Sequence, residues 1–376
     1  VELLKIDCLG KQLRLEGSMA GWQQLFWDGQ LVSQQVASAD LGAVRVHQFE
    51  LQFEQQGAAS EEAAANPQLQ PMQIQVRLET ELNWQPFLLR YRLLINEEPQ
   101  LDGERHSKDI EQQSPEIAPV NTSKMSLVGL ASLGFKLLKS AKVIKVVLAG
   151  ASMAAYSWLF SVQFALALLA CLVFHEYGHI RAMKYFGMKT KGIYLIPFFG
   201  GLALSDEKIN TRWQDVVISI MGPTFGLLLS LVCLIAYWVT GNIFFAGLAT
   251  FNALLNLFNL LPILPLDGGH ILKSISFSMN SVAGLVACVI GAAVGVYVSY
   301  SFGLALLGFL LLIGSLEIVF EWRGRHQSHL LPLDRYGQAF STVWYLLTVG
   351  SLVAIIWYFA SSGDDMLALP LKILQS

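Results

Sequence analysis

The stretch Phe174-His175-Glu176-Tyr177-Gly178-His179 places three ionisable side chains at the end of an apolar run, Phe164 to Phe174, that has no polar break. No other feature limits the chain as strongly. Histidines at i and i+4 lie one turn apart on one helix face. Both imidazoles can therefore reach a single Zn²⁺, and the intervening Glu176 is a candidate general base toward water. A charged carboxylate at membrane depth costs roughly 2.5–3.5 kcal/mol on insertion scales, so such a cluster marks a functional site rather than incidental packing.

The rest of the sequence agrees with a membrane address. Its 376 residues are 54% hydrophobic and 14% charged, more apolar than a soluble globule of that size. Glu and Gln concentrate in residues 1–123, whereas 143–361 read as membrane. The net charge of −3 gives no nucleic-acid signal, and no nucleic-acid partner is expected. Cys8, Cys171, Cys233 and Cys288 show neither disulfide-framework nor CxxC spacing and read as inert space-fillers.

Residues 1–98 alternate apolar and polar at period two, as in Phe49–Phe53, Met72–Leu78 and Leu89–Leu93, with a hairpin signal at Asp28-Gly29. This predicts a small soluble antiparallel β domain with a loop near Gln56–Asn66. His47 reads as an ordinary surface histidine. With no catalytic spacing there, the domain is expected to bind a regulator or substrate. Residues 99–123 read as a polar linker, and 124–142 as a basic amphipathic segment at the membrane surface, where it meets anionic lipid.

From 143 to 361 the apolar stretches predict about seven transmembrane helices. The first two lie within Val143–Gly187, hinged near Tyr156-Ser157-Trp158, followed by Trp213–Val239, Ile243–Leu264, Ser281–Ser301, Gly303–Glu321 and Ser341–Ala360. Residues 362–376 form a C-terminal tail. Basic residues gather at Lys124–Lys145, Arg181–Arg212 and Arg323–Arg335, which places those loops, the β domain and the active-site side in the cytoplasm. Unpaired Cys8, and the lack of a leader pattern at Val1-Glu2-Leu3-Leu4, lead to the same expectation.

A catalytic zinc site keeps three protein ligands and one open position. By parity the Ile243–Leu264 span runs in the same direction as the His-Glu-His helix. It ends in Asn259-Leu-Leu-Pro262-Ile-Leu-Pro265-Leu-Asp267-Gly268-Gly269. Prolines break the helix there, and irregular backbone at membrane depth must line a cavity or be buried in protein. Asp267 is thus a candidate third ligand.

Together, H-E-x-x-H at 175–179 and N-x-x-P-x-x-x-L-D-G at 259–268 resemble the site-2 protease family of intramembrane zinc metalloproteases. The resemblance implies His175, His179 and Asp267 as ligands of one Zn²⁺ per chain, Glu176 as catalytic base, and a three-helix core over about 162–270. It also implies a transmembrane protein or membrane-embedded peptide as substrate. Pro197-Phe-Phe-Gly200-Gly201 resembles the family's strand-forming loop, so Gly200, Gly201 and the strand-like 192–204 are expected to hold unwound substrate. Asn259 fits either a substrate contact or a helix cap. Met221-Gly222-Pro223 resembles a turn-containing helix start. Residues 1–123 lie outside the resemblance. Two other classes fit parts of the pattern: a zinc-containing membrane binding or transport protein, and an adaptor anchored by its membrane part. The first leaves Glu176 without a purpose, and the second leaves the whole His-Glu-His cluster without one.

Overall fold

The period-two segments form two antiparallel meanders in the computed structural model, which describes residues 1–19, 21–36, 43–53, 72–113, 141–159, 162–196, 200–205, 208–279, 281–301, 314 and 330–361. The first sheet runs β1 (Glu2–Cys8), β2 (Lys11–Gly17), β3 (Gln23–Trp27), β4 (Gln30–Gln35); the second runs β5 (Arg45–Phe53), β6 (Met72–Trp84), β7 (Phe87–Ile95), β8 (Glu98–His106). Asp28 and Gly29 have φ of 51° and 79°, the left-handed pair that a two-residue hairpin turn requires. Leu13, Leu15 and Leu25 of one sheet share a buried cluster with Val76, Leu78 and Leu89 of the other. The unit is therefore a β-sandwich. Leu3 and Leu4 are both buried despite being adjacent, because the β1–β2 register shifts between Glu2 and Leu4.

Three expectations need correction in this unit. The first is the linker. Residues 98–106 form strand β8 and Ser107–Glu111 form helix α1, so the compact unit extends to Gln113. Strand β8 escaped the alternation test because it is an edge strand exposed along most of its length, with Pro99 where no ladder donor is needed. The second concerns continuity. Residues 330–335 also belong to this unit, and Leu331 joins its buried cluster. The third is His47, which is fully buried between Ser33 Oγ and Gln23 Oε1, each 3.0 Å away. Burial, and then neighbouring Arg45, lower its pKa to about 4. It is a neutral core group.

The second unit is helical: α2 (Ala141–Leu159), α3 (Val162–Tyr185), α4 (Arg212–Thr240), α5 (Ile243–Asn259), α6 (Asp267–Met279), α7 (Ser281–Ser301) and α8 (Arg335–Ala360, counted from Tyr336 in this unit), with a hairpin of β9 (Thr190–Ile196) and β10 (Gly200–Ser205). Ala165, Leu168 and Leu172 of α3 pack with Leu195 of β9, against Ala149 of α2 and Phe251 and Leu255 of α5. This apolar knot fixes the hairpin beside α3.

Two described helices, Arg212–Thr240 and Arg335–Ala360, are long and apolar enough to cross a membrane, while 144–154, 243–259 and 284–297 are shorter apolar helices. The expected seven spans are not reached among the described residues. Helix α3 interrupts its apolar run with the His-Glu-His cluster, α5 stops at Asn259, and the stretch expected at 303–321 lies outside the described set, apart from Gly314. So do the loop at 56–66, most of 124–142, and the tail beyond 361. Helix α2 runs through the hinge expected near 156–158 as far as Leu159, and α3 begins at Val162. Met221-Gly222-Pro223 starts no helix; it lies inside continuous α4, which is capped at Thr211 by a reciprocal box with Gln214.

Candidate metal centre

Helix α3 lies against α4 closely enough that a side chain on Gly178 would run into the Met221 carbonyl. This close approach presents the His175 and His179 rings to the α4 backbone. The two Nε2 atoms lie 3.1 Å apart. Gly222 of α4 forms the floor beneath them: a Cβ there would overlap the His179 ring and stand 2.9 Å from His175 Nε2.

Hydrogen bonds fix which nitrogen faces the site. His179 Nδ1 donates to the Ile218 carbonyl at 2.7 Å, and His175 Nδ1 lies 2.8 Å from Asn256 Oδ1. With each Nδ1–H committed to an oxygen, both Nε2 lone pairs converge on one point.

Asp267 reaches that point because the chain breaks and restarts after α5. The break is held by Ile263 N–H to the Leu261 carbonyl (2.7 Å) and Leu266 N–H to the Ile263 carbonyl (2.8 Å). Tyr345 Oη of α8 donates to the Leu260 carbonyl at 2.6 Å, satisfying an end of α5 that no helix bond serves. Gly268 and Gly269 are required: side chains there would collide with the backbone of Leu260–Leu261 and Ile263–Leu264. Asp267 opens α6, where a carboxylate suits the helix N-terminus. Helix α6 is pinned to α4 by Ser274 Oγ donating to Asp215 Oδ2 at 2.5 Å, with His270 Nδ1 3.6 Å from Asp215 Oδ1.

Asp267 Oδ2 ends 3.3 Å from His175 Nε2 and 3.6 Å from His179 Nε2. Zinc bonds of about 2.0–2.1 Å at tetrahedral angles set ligand atoms roughly 3.3 Å apart. The three observed edges have the size of one face of that tetrahedron. Two imidazole lone pairs and a carboxylate oxygen facing one another also call for a shared cation. The donor set fits zinc. His175, His179 and Asp267 are the one His/Cys/Asp/Glu group of this kind among the described residues, their ligand atoms all within 4.8 Å of one another.

Glu176 is buried next to this trio, and the β10 strand runs over it. The Ala203 backbone N–H bonds its carboxylate, and a side chain on Gly201 would overlap it. Of the residues expected to hold substrate, Gly201 is thus beside Glu176. Gly200 opens β10 opposite Ile196, and Asn259 is the half-buried last residue of α5. Sequence reading missed Gly222, Ile218 and Asn256. No local spacing flags them, since they meet the histidines only through helix packing. The glycine of Met221-Gly222-Pro223 was the one available hint.

Two imidazoles of one helix and a carboxylate from a second helix define a candidate zinc centre, here within an apolar bundle. The model of Peptidase family M50 matches residues 163–246 and 239–306. The chain is 39% identical over 128 residues to sll0528 of Synechocystis sp., assigned by name to the zinc metalloproteases, covering 33% of this chain and 34% of that one. It is 32% identical over 182 residues to zinc metalloprotease MJ0392 of Methanocaldococcus jannaschii, covering 46% and 52%. It is 27% identical over 188 residues to Stage IV sporulation protein FB of Bacillus subtilis, covering 46% and 63%. The chain therefore spans between about a third and under two thirds of these relatives. Residues 163–306 are thus similar to peptidase family M50, the family whose pattern the two motifs resemble.

Proposed function

We propose that this chain is an intramembrane zinc metalloprotease, hydrolysing a peptide bond within or near a transmembrane segment of a membrane-protein substrate, with one zinc ion per chain. The observation that carries the reading is the convergence of His175 Nε2, His179 Nε2 and Asp267 Oδ2 next to buried Glu176. His175, His179 and Asp267 would hold the ion. When bound, it supplies a Lewis acid and a water nucleophile available near neutral pH. Glu176 accepts the proton of the attacking water and delivers it to the departing amine nitrogen. Burial of this carboxylate under β10 excludes bulk water.

A peptide bond inside a helix is masked by its own hydrogen bonds, so substrate must be held extended. The β9–β10 hairpin supports that role. The outer edge of β9 is taken by α2, where Lys145 Nζ donates to the Lys191 carbonyl and Ser152 Oγ to the Leu195 carbonyl. Among the described residues strand β10 pairs with β9 alone, and it passes beside Glu176, leaving its other edge for an added strand. In proteoliposomes the full chain should cleave a single-pass substrate, and a zinc chelator should stop it. Intact substrate with the zinc-loaded chain would refute the reading.

The same proposal includes a multi-pass topology with the loops near Lys191 and Arg325, and with them the β domain, in the cytoplasm. Its support is the alternation of basic and uncharged loops. Single cysteines introduced as Lys191→Cys and Arg325→Cys should be labelled by an impermeant thiol reagent from the cytoplasmic side alone, and Gly241→Cys from the opposite side. Labelling of Lys191→Cys from outside would invert the arrangement.

A further inference from the structure

A line of buried amides runs from α4 through α5 to the metal centre. Asn252 and Asn256 are both completely buried, as is Ser230. Asn252 Nδ2 donates to the Gly226 carbonyl at 2.7 Å and lies 2.8 Å from Ser230 Oγ. Asn256 Nδ2 donates to the Asn252 carbonyl at 2.7 Å and to Asn252 Oδ1 at 3.1 Å. Asn256 Oδ1 then meets His175 Nδ1.

The direction of every bond in this line is forced. A backbone carbonyl can only accept, so the atom facing Gly226 O must be the amide nitrogen of Asn252. Its oxygen is thereby turned toward Asn256. The Asn252 carbonyl likewise takes the Asn256 nitrogen, which turns Asn256 Oδ1 toward the ring. That oxygen can only accept, and His175 must carry its hydrogen on Nδ1. Two carbonyls of helices α4 and α5 therefore determine, through two amides, that His175 offers Nε2. Gly226 is part of the device, since a side chain there would overlap the Asn256 carboxamide.

We propose that Asn256 is a positioning residue for the metal: it fixes the tautomer and ring orientation of His175 through an oxygen polarised by the Asn252–Gly226 line. The proposal rests on the metal reading of His175, His179 and Asp267. Hydrogen-bond partners of a ligating histidine typically change metal affinity roughly 10- to 100-fold when removed. A purely structural role predicts something different. Asn256→Leu and Asn256→Asp both lose the amide donors to Asn252, so helix packing suffers in both. Only Asp keeps an oxygen acceptor for His175 Nδ1–H.

The test is zinc affinity of the purified full chain, measured by competition with a chromophoric chelator, together with the visible spectrum of the Co²⁺-substituted protein. Asn256→Leu should bind zinc roughly 10- to 100-fold more weakly than wild type and alter the Co²⁺ bands. Asn256→Asp should stay within a few-fold of wild type and keep them. If the Leu variant does not fold, Asn256→Ala against Asn256→Asp makes the same comparison. Equal weakening by Asp and by the apolar variant, or wild-type affinity in both, overturns the proposal. A wild-type chain that takes up no zinc overturns the metal reading and this inference with it, an outcome distinct from the others.

Discussion

Glutamine at position 176 should leave zinc in place and reduce peptide turnover by about 10²- to 10⁴-fold, the usual worth of a positioned general base. Glu176 is not among the three converging donors, so its charge is dispensable for holding the ion. Glutamine keeps the oxygen that accepts from Ala203, and β10 has no reason to leave. Metal content by mass spectrometry should therefore match wild type while cleavage of a single-pass substrate falls. Turnover within tenfold of wild type would remove Glu176 from the role of base.

Gly222→Ala should have the opposite signature, with metal and activity lost together. The added methyl would occupy the space of the His179 ring and lie 2.9 Å from His175 Nε2. Helix α4 itself gains from alanine, which is about 1 kcal/mol better than glycine in a helix interior. Local helix stability and metal binding should thus move in opposite directions. Gly247→Ala on α5 is the matched control, because a side chain there meets nothing within 4 Å. It should keep zinc. Should Gly222→Ala also retain a full equivalent of zinc, α4 is not the floor of the site.

How much of this was legible in the sequence depended on whether the signal is local. The His175/His179 pair is a one-turn spacing that any helix at that position would honour. Asp267 was legible because Pro262, Pro265 and the following glycines announce a break at membrane depth, and the two motifs together resemble one family. Asn256 and Gly222 were not legible, since their roles exist only once α3, α4 and α5 have packed. Burial was misread where polarity dominated. His47 looked like a surface residue among Arg45, Gln48 and Glu50, yet it faces inward with Gln23 and Ser33 as partners. Strand β8 failed the alternation test for the converse reason, having too little buried surface to impose a period.

The sandwich formed by residues 1–113 takes Leu331 into its buried cluster. A ribosome delivers the chain from its first residue onward, so eight strands emerge long before that leucine. At about 5–20 residues per second the delay is roughly 10–40 s. During this interval the place that Leu331 takes in the buried cluster is without its leucine. Completion of that cluster thereby waits for the synthesis of α2 to α7, and a chain arrested before residue 331 would carry an N-terminal domain lacking that buried leucine.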